Sequence, residues 1–140
     1  VNWSPVDAFT LSAVYGTADA VVERNDDPSL QGNAVGGVAD RSANVIALWR
    51  FLPAWQLDVT WRHVGEFPLN TSNSLFSEPY DLLDVGVRYT ATGGPLGWTA
   101  YARVENATDE VFAPSQFVIG GPVFGTGAPR QLRVGVQIDL

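Results

Sequence analysis

The feature that most constrains the fold is an alternation of apolar and polar residues with a period of two. It recurs in six segments, residues 9–16, 43–51, 56–63, 83–90, 98–105 and 131–140. Successive side chains of a β-strand point to opposite faces, so this period is typical of strands with one apolar face. No segment repeats near every 3.6 residues, as an amphipathic helix would. The sequence therefore predicts an all-β chain, an antiparallel up-and-down meander of about six strands.

The lengths of the connections alternate in the same order as the predicted strands. Long polar connections cover roughly residues 22–42, 65–79 and 107–129, and short ones cover residues 52–55 and 93–95. In an antiparallel meander, this order places every long loop at one end and every tight turn at the other. Membrane β-barrels sort their connections in this way.

The polar faces of the predicted strands carry most of the strand charge. They hold Arg50, Arg62, Arg88, Arg103, Arg133, Asp58, Asp84, Glu105 and Asp139. The apolar faces hold no charge, and His63 is their one polar residue. A soluble sandwich alternates too, because one face of each sheet meets water. Alternation therefore leaves two alternatives open, a membrane barrel and a soluble antiparallel β-sandwich that acts as a binding module.

The aromatic residues of the apolar faces favour the membrane alternative. They cluster toward the strand ends, with Trp49, Phe51, Tyr89 and Trp98 near the tight turns and Tyr15 and Trp61 toward the long loops. Amphipathic rings prefer the headgroup level of a bilayer, which gives membrane barrels two aromatic girdles.

Composition excludes several classes of function. The net charge is −7 and all eight basic residues are arginine, which argues against a nucleic-acid partner. The chain has no cysteine and a single histidine, so we predict no thiolate or two-histidine metal site, no catalytic residues and no cofactor. No apolar stretch approaches the roughly 18 residues of a membrane helix. A hydrolase that uses an acid pair such as Asp58 and Glu66 is a remote alternative.

Three stretches resemble one known family. Residues 102–112 are similar to the late-barrel segment V-x-N-L-x-D-x-x-Y of TonB-dependent outer-membrane receptors, with Phe112 in place of the usual tyrosine. Residues 127–130 resemble the G-x-P-R entry into the final strand of that family, and residues 80–89 resemble the strand that precedes both. The chain therefore resembles the C-terminal end of such a receptor.

The resemblance implies a specific architecture and function. Residues 1–140 would be the C-terminal part of a transmembrane β-barrel of about 22 strands, without the plug domain that fills it. The parent protein would be a receptor in the Gram-negative outer membrane rather than an enzyme. It would import a scarce nutrient such as a ferric siderophore or cobalamin. Its partners would be outer-membrane lipid, TonB through the plug, and a small-molecule or metal-chelate ligand. Alone, the piece would close into a small barrel or self-associate.

The resemblance also implies which residues serve the receptor. The terminal strand would be the assembly signal, through Leu132, Val134, Val136, Ile138 and Leu140. Ligand contacts in the family come largely from long loops and the plug, which makes Arg24, Arg41, Phe117 and Phe124 the candidates in this chain.

Overall fold

The computed structural model describes residues 1–91, 97–118 and 122–139, and it leaves out the side chains of residues 115–118, 122–124 and 139. This part of the chain contains β-strands, one short 3-10 turn (Pro28–Leu30) and no α-helix. The strands are β1 (Asn2–Val6), β2 (Phe9–Thr17), β3 (Arg41–Leu52), β4 (Trp55–Val64), β5 (Phe67–Pro68), β6 (Phe76–Ser77), β7 (Tyr80–Ala91), β8 (Gly97–Glu105), β9 (Ser115–Val118), β10 (Pro122–Gly125) and β11 (Gln131–Asp139).

Seven of these strands form one antiparallel sheet in the order β1-β2-β3-β4-β7-β8-β11. The predicted meander is confirmed, and it gains β1, which the sequence analysis missed. This first strand is short, contains Pro5 and is exposed along its whole length. A run of five residues that includes proline, which lacks a backbone N–H, gives only a weak strand signal.

The sheet is open, because β1 and β11 lie at opposite ends of the strand order and do not pair with each other. The expected closure into a small barrel is therefore wrong for this structure. Seven strands fall below the eight of the smallest membrane barrels.

The register confirms the predicted faces of the sheet. Leu11 lies opposite Ala47, Ala47 opposite Val59, Val59 opposite Val85, and Val85 opposite Val104. Residues that lie opposite each other share a face, so this row of apolar side chains crosses five strands without interruption. We call this face the outward face and the opposite one the inward face.

The connections sort to the two ends of the sheet as predicted. The turns at residues 7–8 and 53–54 lie at one end, and the long loops of residues 18–40, 65–79 and 106–130 lie at the other, the loop end. The last two loops each contain a two-stranded hairpin, β5-β6 and β9-β10. The predicted short connection at residues 93–95 lies outside the described residues.

The most buried hydrophobic residues lie at the loop end rather than at the centre of the sheet. Phe67, Leu69, Tyr80 and Leu82 are at most 8% exposed. Leu82 lies opposite Arg62 on the inward face, so the second long loop folds back over that face. By contrast, the apolar side chains of the outward face on β11 are 60% to 69% exposed.

Candidate functional site

A row of aromatic rings crosses the outward face at the tight-turn end. Trp49 is 5.7 Å from Phe51, Phe51 is 6.4 Å from Trp55, Trp55 is 4.9 Å from Tyr89, and Tyr89 is 5.2 Å from Trp98, measured between ring centroids. The row spans β3, β4, β7 and β8, and its three tryptophans are 38% to 49% exposed. Such a continuous aromatic girdle is typical of a bilayer interface.

Fewer aromatic residues mark the loop end of the outward face. The rings of Trp61 and His63 stack at 6.0 Å, and Tyr15 is 67% exposed. The Nδ1 atom of His63 lies 3.0 Å from Oδ1 of Asp81 on the neighbouring strand. His63 thus lies on the outward face, as the sequence predicted, and the structure adds its pairing with Asp81, which the sequence analysis did not identify.

The inward face carries charged residues that form ion pairs across the strands. Asp58, Gly86 and Arg103 are opposite one another on β4, β7 and β8. A Cβ atom at Gly86 would overlap the Asp58 carboxylate, so the glycine leaves space for Asp58 to reach Arg103 two strands away. At the edge of the sheet, Arg133 Nε lies 3.0 Å from Glu105 Oε2.

Asp84 is the most buried charged residue of the inward face, at 6% exposure. Its Oδ2 atom accepts hydrogen bonds from Arg62 Nη2 at 3.2 Å and from Arg103 Nη2 at 3.4 Å. Its Oδ1 atom accepts a hydrogen bond of 2.9 Å from the backbone N–H of Asn106, the first residue after β8. One carboxylate therefore joins the wall of the sheet to the last long loop.

The two limbs of the last long loop are fastened together where they leave the sheet. Asn106 Nδ2 donates to the carbonyls of Glu110 (2.9 Å) and Ala128 (3.1 Å). Oδ1 of Asp109 accepts from the backbone N–H of Arg130 at 2.9 Å. We call residues 106–112 and 127–130 the loop base. Asn106 and Asp109 have φ values of 49° and 58°, a left-handed conformation in which Asn and Asp are enriched among non-glycine residues.

A cavity of about 370 Å³ opens beside this loop base at the loop end. Phe76, Tyr80 and Phe112 contribute aromatic walls, and the centroids of the Tyr80 and Phe112 rings are 4.7 Å apart. Glu78 and Glu110 add two carboxylates to its lining. The sequence analysis did not identify this cavity, although Tyr80 and Phe112 stood within the family-like stretches.

The structure distributes the predicted ligand residues over two loops and one strand end. Arg24 is exposed in the first long loop, and Arg41 begins β3 on the same face as Ala43, which is the outward one. Phe117 and Phe124 occupy β9 and β10 of the hairpin in the last long loop, and their side chains lie outside the described part. Among the described side chains that line the cavity beside the loop base, neither Arg24 nor Arg41 is found.

The predicted assembly signal corresponds to β11. Leu132, Val134, Val136 and Ile138 lie on the outward face opposite Val104, Ala102, Ala100 and Trp98. Leu140 lies outside the described residues. The alternation along this strand therefore places its apolar side chains on one face of the sheet, whereas the role of the strand in assembly stays a prediction.

Two neighbouring acid pairs occur in the loops, Asp26–Asp27 and Asp109–Glu110, and one member of each, Asp27 and Asp109, accepts a backbone hydrogen bond within its own loop. Asp27 caps the 3-10 turn, and the hydroxyl and backbone N–H of Ser29 both donate to it, which lowers the pKa of Asp27. Within the described residues, no group of three or more His, Asp or Glu side chains could hold a metal ion. No helix among them is long and apolar enough to cross a membrane.

The acid pair of the hydrolase alternative is not assembled. Asp58 is paired with Arg103, and Glu66 lies beyond the end of β4, about 20 Å or more along the strand direction. Two carboxyl groups that act together on a glycosidic bond lie within about 10 Å of each other.

Comparison with known proteins gives a consistent result. Residues 1–107 match the family model described as TonB dependent receptor-like, beta-barrel. The ferrichrome receptor FcuA of Yersinia enterocolitica is 35% identical over 71 residues, which are 51% of this chain and 9% of that protein.

Solved receptors share the fold at lower sequence identity. The ferric preacinetobactin receptor BauA of Acinetobacter baumannii is 22% identical with a TM-score of 0.82, over 99% of this chain and 21% of that one. The ferric yersiniabactin uptake receptor FyuA of Yersinia pestis is 18% identical with a TM-score of 0.80, over 99% of this chain and 22% of that one.

The chain spans about a fifth of these structures, and the matched proteins are receptors rather than enzymes. The match of the family model covers most of the chain and agrees with the open antiparallel sheet and its two unlike faces. The chain belongs to the TonB-dependent receptor family and forms part of its β-barrel domain.

Proposed function

We propose that this chain is part of the barrel wall of an outer-membrane receptor that takes up a ferric siderophore with energy supplied through TonB. The observation that carries the proposal is the outward face, which is apolar along the middle of the strands and has an aromatic girdle at the tight-turn end. Its polar residues Arg41, His63 and Asp81 lie at the loop end. Lipid would cover this surface, and the charged inward face would line a wet lumen.

A ferric siderophore is a better supported ligand than cobalamin. The similar proteins are named as receptors for ferrichrome, ferric preacinetobactin and ferric yersiniabactin. The cavity beside the loop base offers aromatic walls from Tyr80 and Phe112 at the end of the sheet where a ligand would arrive. Arg24, Phe117 and Phe124 stay candidate contacts, because their loops lie at the same end. Arg41 is a weaker candidate, because its register places it on the outward face.

The place of the chain in the receptor is also part of the proposal. Residues 1–140 would form the C-terminal strands of the barrel, and β11 would be the assembly signal and the strand that closes the barrel. TonB would act through a plug domain encoded elsewhere in the protein. The unpaired edges at β1 and β11 would leave the isolated piece prone to self-association.

Uptake measurements test the proposal. The gene for the full receptor is deleted in its host, and uptake of radioactive iron is measured with ferrichrome, yersiniabactin and preacinetobactin complexes, alongside labelled cobalamin. We expect loss of uptake of one iron complex, unchanged cobalamin uptake, and the same loss in a strain without TonB. Uptake that persists without TonB would contradict the energy source, and loss of cobalamin uptake alone would contradict the ligand class.

A further inference from the structure

We propose that Asp84 is a positioning residue, which fixes the last long loop to the barrel wall and so holds its hairpin in one place above the lumen. Asp84 is nearly fully buried on β7 and accepts hydrogen bonds from donors on three separate segments, β4, β8 and the loop base. The functional consequence, a preformed ligand-facing loop, rests on the proposed uptake. The positioning itself does not.

The two oxygens of Asp84 have different partners. Oδ2 meets the guanidinium groups of Arg62 and Arg103, and Oδ1 accepts from the backbone N–H of Asn106. The two arginines hold the carboxylate in a fixed orientation, so that Oδ1 is presented to the loop. Hydrogen bonds to a charged acceptor are stronger than those between neutral groups.

Asn106 links Asp84 to the rest of the loop base. Its backbone N–H binds Asp84, while its side chain binds the rising limb at Glu110 and the descending limb at Ala128. At the top of the base, the Gly127 N–H donates to the Phe112 carbonyl at 2.8 Å. The hairpin β9-β10 is therefore carried on a base that meets the inward face through the Asp84 carboxylate and through the ring of Phe112 on Tyr80. A backbone bond from Ala107 N–H to the Leu83 carbonyl at 2.7 Å continues the pairing of β8 with β7.

Two substitutions of Asp84 separate its charge from its hydrogen-bond acceptor. Asp84→Asn loses the charge and leaves one acceptor oxygen for the donors of Arg62, Arg103 and Asn106, and Asp84→Ala removes both the charge and the acceptor. Asp81→Ala is the matched control, because Asp81 lies on the same strand, is exposed, and pairs with His63 on the outward face, away from the loop base. All variants are made in the full-length receptor, folded in lipid nanodiscs.

Hydrogen exchange is the first measurement. In Asp84→Ala we expect the amides of Asn106, Glu110, Gly127 and Arg130 to exchange about tenfold to a hundredfold faster, as the loss of a hydrogen bond to a charged group implies. We expect a smaller increase in Asp84→Asn and none in Asp81→Ala. The amides of Val59 and Val85 in the main sheet are expected to stay protected in every variant.

The second measurement reports where the last long loop lies, whereas hydrogen exchange reports how well its amides are protected. Spin labels on Ser72 and Thr126, both exposed in neighbouring loops, give a distance distribution between the loops. The chain has no cysteine, so the introduced pair is unique within it. We expect a narrow distribution in the parent receptor and a clearly broader one in Asp84→Asn.

Two results would overturn the proposal. One is unchanged exchange at the loop base together with an unchanged distance distribution in Asp84→Asn. The other is a general loss of the sheet, because Asp84 would then stabilise the wall and not the loop. It would be seen as faster exchange spread evenly over β4, β7 and β8, or as failure of Asp84→Asn to assemble. Neither measurement needs a ligand, so failure of the uptake proposal would leave the result readable.

Discussion

Because the two faces of the sheet differ, we predict that an arginine destabilises the folded receptor at one position of β11 and is tolerated at the next. Val136 lies in the middle of the strand on the outward face, opposite Ala100, and its side chain is 66% exposed. Gln137 lies opposite Thr99 on the inward face. If lipid covers the outward face, Val136→Arg places a guanidinium near the bilayer midplane, whereas Gln137→Arg places it in the lumen.

The expected cost follows from depth. An arginine facing lipid at the midplane of a membrane barrel costs about 2–4 kcal/mol. At about 1.4 kcal/mol for each factor of ten, that is a loss of roughly 30-fold to 700-fold in the folding equilibrium. We expect Gln137→Arg to stay within about 1 kcal/mol of the parent receptor, as lumen substitutions chiefly tune selectivity.

The assay is folding of the full receptor into phospholipid vesicles over a series of urea concentrations. The folded fraction is measured by heat-modifiable mobility on gels. Because β11 is also the proposed assembly signal, Val136→Arg alone would combine two effects. Val85→Arg separates them, since Val85 lies mid-strand on the central β7, between Val59 and Val104. Equal folding of Val85→Arg and Gln137→Arg would refute the assigned faces.

Two further substitutions test the inward face and the loop base. Gly86→Val should displace the Asp58 carboxylate from its place over the glycine and break its ion pair with Arg103. We expect the free energy of unfolding to fall by about 1–2 kcal/mol. An unchanged midpoint of urea unfolding would contradict the displacement. Phe112→Ala should remove the ring that packs on Gly127 and lower the local stability of the loop base by about 2–3 kcal/mol. Limited proteolysis should then cut the last long loop of Phe112→Ala faster than that of the parent receptor. Phe112→Tyr is the control, because it keeps the ring and matches the family pattern, and it should be cut at the rate of the parent. Equal cleavage of the two variants would count against the contact.

The faces of the sheet were predictable because alternation is a local property. Every residue pair in the row from Leu11 to Val104 fell on the predicted face, since the side chains of a strand alternate whatever its neighbours are. The strand β1 lacked a clear signal, because it has only five residues and one of them is Pro5, which weakens a strand prediction.

The arrangement at the loop end could not be predicted from alternation. Leu82 and Tyr80 fall on the polar face by parity, yet Phe67 and Leu69 fold back from the second long loop to bury them. Such contacts depend on the path of a loop, and a local period does not encode that path. The cavity lined by Tyr80 and Phe112 was missed for the same reason.

The charges of the inward face were predicted, but their partners were not. Asp58 pairs with an arginine two strands away instead of with a direct neighbour. The cause is Gly86, which leaves open the space that any side chain would fill. In the sequence this glycine is only one more small residue on a polar face, and its role appears once the three strands are in register.

The residues of the loop base that resemble the family have structural roles that do not depend on any ligand. Asn106 and Asp109 use their side-chain polar atoms within the loop base, and Gly127 provides space for the ring of Phe112. A barrel that must hold a long loop needs such a base whatever molecule it imports. These stretches therefore give no information about the ligand. Under the proposed uptake, ligand contacts would come from the segments that the base carries, in the hairpin of Phe117 and Phe124, and from the neighbouring long loops.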